Sequence, residues 1–266
     1  MTGGGWGFKR LVLDLHRNGQ DPATLRHAAE IAEFLHLDLF GRFIDDPAIA
    51  RLAGLPFARE FRVLEREWHD LAVAEVTRAR ELAIATASRL FAEAARASTA
   101  RCRFEVLPDP GGTKDAGGHC DEDIVVLHQK PHAGESFSRL LDTAFEHASA
   151  VLIMPNRVIH RHGPVVAVAR SPDDPSIAVA ASLATEAGEA FLYFDSPDGG
   201  LSPDDTEAVF DRGRPRGAGR GNPRVRRLAL PVSNECLIVL TRGVLADADV
   251  STVVSCRRVP VLVLRA

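Results

Sequence analysis

A chain of 266 residues with 45% apolar side chains and a formal net charge of −4 has room for one long domain or two smaller ones, with apolar material enough for a core. The opening MTGGGWGFKR has no apolar leader segment, and no apolar run reaches the ~18 residues a membrane span needs. The four cysteines, Cys102, Cys120, Cys236 and Cys256, form no C-x-x-C pair, so the chain reads as a cytoplasmic protein with reduced thiols and no membrane partner. The charge is uneven. Residues 212–227, RGRPRGAGRGNPRVRR, carry seven arginines and no acid, which leaves the rest of the chain more acidic than its net value. Such a run can be a nucleic-acid patch, but with no interleaved aromatics or recognition fold it reads as a solvated loop, and residues 212–224 are expected to be the most mobile internal segment.

In chain order, KRLVLDLHRNGQDPATLRHAAEIAEFL begins with an apolar strand, passes through a polar turn ending in Asp-Pro and continues as a helix. GPVVAVARSPDDPSIAVAASLATEAG repeats that order in the second half. Pro22 and Pro175 suit the first helical turn, where a missing N–H costs nothing, and Asp21 and Asp174 are placed to cap. LFGRFID corresponds to FLYFD, IVVL at 124–127 to LIVL at 237–240, and VLIM at 151–154 to VLVL at 261–264. The second copy is shorter between its second and fourth strands. There the first copy has residues 60–98, in which Leu64, Trp68, Leu71, Leu82, Thr86 and Leu90 fall on one helical stripe and predict a long helix. The second copy has instead a short helix candidate from Asp204 to Phe210 and the arginine loop. Continuous apolar strands alternating with helices predict a parallel sheet covered on both faces, with right-handed crossovers.

The opening strand with its turn and helix, the FID and FD ends of the second strands, HAGESFSRLL followed by a strand ending VLIMP, and the closing VPVLVL together resemble the universal stress protein family over nearly all of the chain. The resemblance implies an α/β fold of two tandem flavodoxin-like domains, each a five-stranded parallel sheet of order 3-2-1-4-5 with helices on both faces. The first spans residues 1–160 and the second, shortened and carrying the arginine loop, residues 161–266. It further implies a stress-response or regulatory role without enzymatic activity. Self-association, as a homodimer or as pairing of the two domains through their last strands, is expected, together with a protein partner whose identity is open.

Members of that family that bind ATP carry an Asp after the first strand and G-x2-G-x9-G-[S/T] after the fourth. Here His16 and Ala169 stand at the Asp position. Anchored on the SRLL helix, the glycine pattern falls on Lys130, Ala133, Thr143 and Ala144; anchored on the strand, it begins at His128 and Pro131. In the second copy it falls on Thr241, Val244, Val254 and Ser255, where only the last hydroxyl fits. Side chains in place of glycines exclude phosphate oxygens, and Pro131 removes a donor, so binding of ATP or another adenine nucleotide is expected to be weakened or lost. The candidates for nucleotide or anion binding are His16, Ile44 at the end of the second strand, His128, Lys130, His132, Gly134, Ser136, Ser138 and Arg139. The alternatives are an ATP-binding, slowly hydrolysing protein using the 128–139 loop, and a ligand-free homo-oligomeric scaffold. In a plainer reading Ser136 or Ser138 only caps a helix.

His128, His132, His119 and Cys120 lack the paired short spacings of a structural zinc site, and no metal site is assigned. Ser136 and Ser138 lack a G-x-S-x-G elbow, and the cysteines lie in or beside strand and helix patterns that imply burial, so no catalytic residue is assigned. Phe57, Phe61 and Trp68, around LAGLPFAREF, are expected to pack the long helix onto the sheet, with a lid or self-association surface as the second reading.

Overall fold

The computed structural model describes residues 7–15, 21–45, 47–96, 98–108, 122–128, 136–155, 158, 161–195 and 234–265. In order the elements are β1 (Arg10–Leu15), α1 (Pro22–Phe34), β2 (Asp38–Asp45), α2 (Pro47–Ala53), β3 (Arg59–Arg62), β4 (Glu67–Asp70), α3 (Val73–Ala95), β5 (Cys102–Pro108) and β6 (Asp123–His128). They continue with α4 (Phe137–His147), β7 (Ala150–Met154), β8 (Val165–Ala169), α5 (Pro175–Ala187), β9 (Phe191–Asp195), β10 (Leu237–Thr241), α6 (Asp247–Arg257) and β11 (Val261–Leu264). The arginine loop and the Asp204–Phe210 candidate lie outside the described residues.

Among the described residues nine strands form one sheet in the order β5-β2-β1-β6-β7-β11-β10-β8-β9. Every neighbouring pair is parallel except β7 and β11, which run antiparallel with Val261 opposite Ile153 and Leu264 opposite Ala150. The first half therefore has the expected order, its third, second, first, fourth and fifth strands lying side by side. The second half repeats β2-β1-β6-β7 as β9-β8-β10-β11, and among the described residues it contributes four strands. Because β7 is flanked by β6 and β11, and β11 by β7 and β10, the last strands of the two halves are joined to each other and offer no free edge.

The alternation of side chains along the strands divides the core into two layers. Leu11, Leu13 and Leu15 of β1, with Leu39 and Phe43 of β2, face α1, α3 and α5. Val151, Ile153, Val166, Ile238 and Val263 face α4 and α6, which contribute Leu141, Phe145, Val250, Val253 and Val254. Gly41 marks a close approach of sheet and helix. A Cβ there would lie 2.6 Å from Cε2 of Phe91 on α3, so the glycine is required for that ring to seat. At the opposite ends of the strands, Arg10 grips buried Asp123 with two hydrogen bonds of 2.7 and 2.8 Å.

Both Asp-Pro sequences start helices as expected. Asp21 accepts from Ala23 N–H at 3.1 Å and Asp174 from Ser176 N–H at 2.9 Å, with Pro22 and Pro175 in the first turns. Other expectations are corrected. The helix anticipated over 60–98 begins only at Val73. Leu64 and Trp68 belong instead to a β3–β4 hairpin in which Phe61 pairs with Trp68, because aromatic and β-branched residues favour the extended chain and the 63–66 turn is closed by Arg66 at positive φ. The buried side of α3 is Val76, Ala87, Phe91 and Ala94; of the expected stripe, Leu82 is exposed while Leu90 is partly buried against the core. Phe57, Phe61 and Trp68 are exposed as well, so they do not pack the helix onto the sheet. Cys236 is buried and Cys102 partly so, but Cys256 is exposed on α6; Cys120 is outside the described residues. No helix among the described residues is long and apolar enough to cross a membrane.

Candidate functional site

Open α/β sheets bind ligands outside the carboxyl ends of their strands, where the chain order reverses. In this sheet those places are the crevices between β1 and β6 and between β8 and β10. Of the candidates, His16, Lys130, His132 and Gly134 lie outside the described residues, as do His119, Cys120 and Pro131. His128 ends β6, paired with Met154, and Ile44 lies partly buried near the end of β2, opposite Leu107. Ser136 occupies the N-cap position of α4 without a side-chain capping bond, which corrects its expected capping role. Ser138 donates its hydroxyl to the Asp247 carboxylate at 2.6 Å, so it serves the α4–α6 junction rather than an open loop. Arg139 is exposed on the first turn of α4.

The carboxylates of the first half are engaged. Asp14, two residues before the His16 position, accepts from Nε and Nη2 of Arg42 at 2.8 and 2.6 Å, and Arg42 is only 4% exposed. The two residues stand opposite each other in the β1–β2 register, so the alternation of the strands brings them to one face. Asp45, at the end of β2, accepts from Arg80 of α3 at 2.7 Å. A buried guanidinium is tolerated when a carboxylate neutralises it, so the Asp14–Arg42 pair is committed to structure before any ligand arrives, whereas the Asp45–Arg80 pair is partly exposed.

One carboxylate bridges the elements around the second-half crevice. Asp174 Oδ1 accepts from Ser176 N–H at 2.9 Å and from the Thr241 hydroxyl at 2.6 Å, while Oδ2 accepts from Arg170 N–H at 3.2 Å. Those donors belong to the start of α5, the end of β10 and the turn after β8, so a single carboxylate ties together the elements that would border a bound phosphate. Burial by itself would raise the Asp174 pKa, but the hydrogen bonds from Thr241, Ser176 and Arg170 outweigh it and hold the carboxyl below the ordinary aspartate value. Next in the chain, Arg242 pairs with Asp142 of α4 and its guanidinium stacks 5.0 Å above the Phe145 ring. Gly243 turns at φ +87°. The Ser255 hydroxyl donates to Ser251 C=O within α6 at 2.9 Å, so the one hydroxyl of the second copy that matched the phosphate pattern is spent inside its own helix.

Helix N-termini attract anions through their free N–H groups and dipole, and here carboxylates already stand there. Asp21 sits at α1, Asp174 at α5, and Asp247 with Asp249 in the first turn of α6. A polyphosphate approaching α5 or α6 would have to displace a covalently attached anion or sit beside it. Among the described residues no group of three or more His, Cys, Asp or Glu could hold a metal ion, and Cys236, its thiol pushed up to about 12 chiefly by burial, is a poor nucleophile. The role of Asp174 was half visible in the sequence, where Asp-Pro indicated a cap; the remaining donors come from chain positions with no pattern linking them to it.

No family model matches the chain, and no curated protein matches it. Among solved structures, it is similar to a universal stress protein from Archaeoglobus fulgidus at 14% identity over 98% of this chain and 97% of that one, with a TM-score of 0.48. It is also similar to a protein of unknown function from Pseudomonas aeruginosa at 11% identity, over 98% and 93% of the two chains, with a TM-score of 0.45.

Proposed function

We propose that the chain is a cytoplasmic, non-enzymatic stress-response or regulatory protein made of two universal-stress-like copies, residues 1–160 and 161–266, in which adenine-nucleotide binding is weakened or lost. The observation that carries this reading is the engagement of Asp174 beside the β8–β10 crevice, where its carboxylate takes up the Ser176 N–H, the Arg170 N–H and the Thr241 hydroxyl. The ion pairs Asp14–Arg42 and Asp45–Arg80 in the first half and the acidic first turn of α6 favour it too. Each charge-assisted hydrogen bond withheld from a phosphate is worth about 1.5–3 kcal/mol, so two or three weaken binding by several orders of magnitude.

Residual affinity belongs to the first half. Ser136 and Arg139 are exposed at the start of α4, and this favours the second reading, an ATP-binding protein using the 128–139 loop. Titration calorimetry with Mg-ATP on the intact chain, Lys130→Ala and Gly134→Val separates the two. The expected result is a Kd above ~0.1 mM for all three proteins. Micromolar binding lost in both variants would establish the second reading, and micromolar binding that survives both would overturn the placement of the site as well.

A further inference from the structure

The β3–β4 hairpin is inside out. Its register puts Glu60, Arg62, Glu67 and His69 on one face and Arg59, Phe61, Trp68 and Asp70 on the other. The charged face turns toward the body, where Arg62 bonds Glu60 at 2.6 Å and Glu75 of α3 at 3.0 Å. The aromatic face turns to solvent. Phe61 and Trp68 stack on each other with centroids 5.3 Å apart, yet they are 47% and 59% exposed, with Phe57 at 76%, Val63 at 76% and Leu64 at 100% beside them. A two-stranded hairpin of four-residue strands is marginal in water by itself, and contiguous exposed apolar patches of this kind mark association sites.

We infer that this hairpin is a self-association surface whose occupant is the same hairpin of a second copy, with β3 pairing antiparallel to β3 about a two-fold axis through Phe61. Two observations select that occupant. Ala58 C=O accepts from Leu71 N–H, and Arg62 C=O from Arg66 N–H, so residues 58, 60 and 62 point their backbone groups at β4. Those of Arg59, Phe61 and Val63 therefore point to the outer edge of β3, which among the described residues has no neighbouring strand. Pairing Phe61 with Phe61 uses these groups and sets Arg59 opposite Val63. The side-chain pattern agrees: in this register Glu60 of each copy lies opposite Arg62 of the other, so the charges are self-complementary. The two-fold also extends the Phe61–Trp68 pair into a run of four rings. Edge pairing adds main-chain hydrogen bonds and the contact of Phe61 with its symmetry mate, a small interface of the kind that holds weak, transient dimers. This inference does not rest on the nucleotide reading.

Sedimentation velocity on the full chain across the micromolar range tests it by charge exchange. Glu60→Arg sets two guanidinium groups against each other at both contacts of the two-fold pair, and Arg62→Glu sets two carboxylates there. Each variant alone should dimerise at least about tenfold more weakly than the parent. An equimolar mixture of the two restores opposite charges at both contacts and should dimerise at least as tightly as the parent. Phe61→Lys, which places two ammonium groups on the axis, should be monomeric throughout. A parent that stays monomeric to the top of the range, a parent dimer unmoved by Glu60→Arg, or a mixture no more associated than its components would each overturn the assignment.

Discussion

Asp21-Pro22 and Asp174-Pro175 are the same local device in the two halves of the sheet, with different outcomes. Each aspartate caps the helix that follows the first strand of its half. Asp21 is exposed, and among the described residues its side chain bonds its own helix, to Ala23 N–H and, at 3.5 Å, the Thr24 hydroxyl. Asp174 is buried and also holds Thr241, from β10, and Arg170 N–H. In the repeat, the strand position of Thr241 corresponds to His128, which cannot offer an aspartate the same short hydroxyl contact. A cap is a property of a few neighbouring residues; a bridged crevice needs the right side chain on a distant strand. The proposed nucleotide reading depends on that difference, because it is the tertiary partner Thr241 that ties Asp174 to the end of β10.

The largest effect on this comparison should come from Asp174→Ala. It removes a cap, worth about 1 kcal/mol, and leaves the Thr241 hydroxyl and a buried N–H without an acceptor, at about 1–3 kcal/mol more. A loss of about 3 kcal/mol is expected in urea denaturation. Gly41→Val comes next, with a loss of about 2 kcal/mol from crowding Phe91, relieved in part by Phe91→Leu. It touches only the first half and should leave acid sensitivity unchanged. Asp21→Ala should cost only about 1 kcal/mol, the cap alone; a loss equal to that of Asp174→Ala would erase the contrast between the halves. Arg242→Leu, which gives up a partly exposed ion pair and a ring contact, should lose about 1 kcal/mol or less, and less again in high salt.

Acid sensitivity sharpens the contrast further. Because the folded Asp174 pKa lies below its unfolded value, its ionised form favours the fold. That contribution is complete above the ordinary aspartate pKa of about 3.9 and is lost as pH falls through the lower folded value. Stability measured from about pH 6 down to pH 2 should therefore fall less steeply in Asp174→Asn than in the parent, since the amide oxygen still accepts hydrogen bonds and nothing titrates. Parallel acid limbs for the two proteins would remove Asp174 as the titrating group.

A second contrast concerns what the first half has and the described second half does not. Residues 59–70 form a hairpin where helical spacing suggested the start of a long helix. Leu64, Trp68 and Leu71 do recur at helical intervals, but Phe61 and Trp68 equally fall on one face of a hairpin, and periodicity over so short a stretch does not distinguish the two. The error mattered for function, because a helix would have buried Trp68 whereas the hairpin exposes it. At the candidate site, Ile44, Ser136, Ser138 and Arg139 were legible as residues near strand or helix ends. Their use was not: Ser138 is claimed by Asp247, which lies 109 residues later in the chain.

The sequence by itself determined which segments are strands and which are helices over most of the described chain, where the Asp-Pro starts stand, and that the strand order recurs. Those features follow from residues close together along the chain: apolar runs that need burial on both faces, and a side-chain oxygen two residues from a free N–H. It also showed that residues 128–139 hold a single glycine, Gly134, which is visible without coordinates. Only the tertiary structure decided that β7 and β11 join the halves antiparallel into one sheet, that Thr241 reaches Asp174 across 67 residues of chain, and that the aromatic face of the hairpin points outward. Each of these depends on which surfaces meet after collapse. Burial and hydrogen-bond satisfaction are settled there by the whole set of elements competing for the same core.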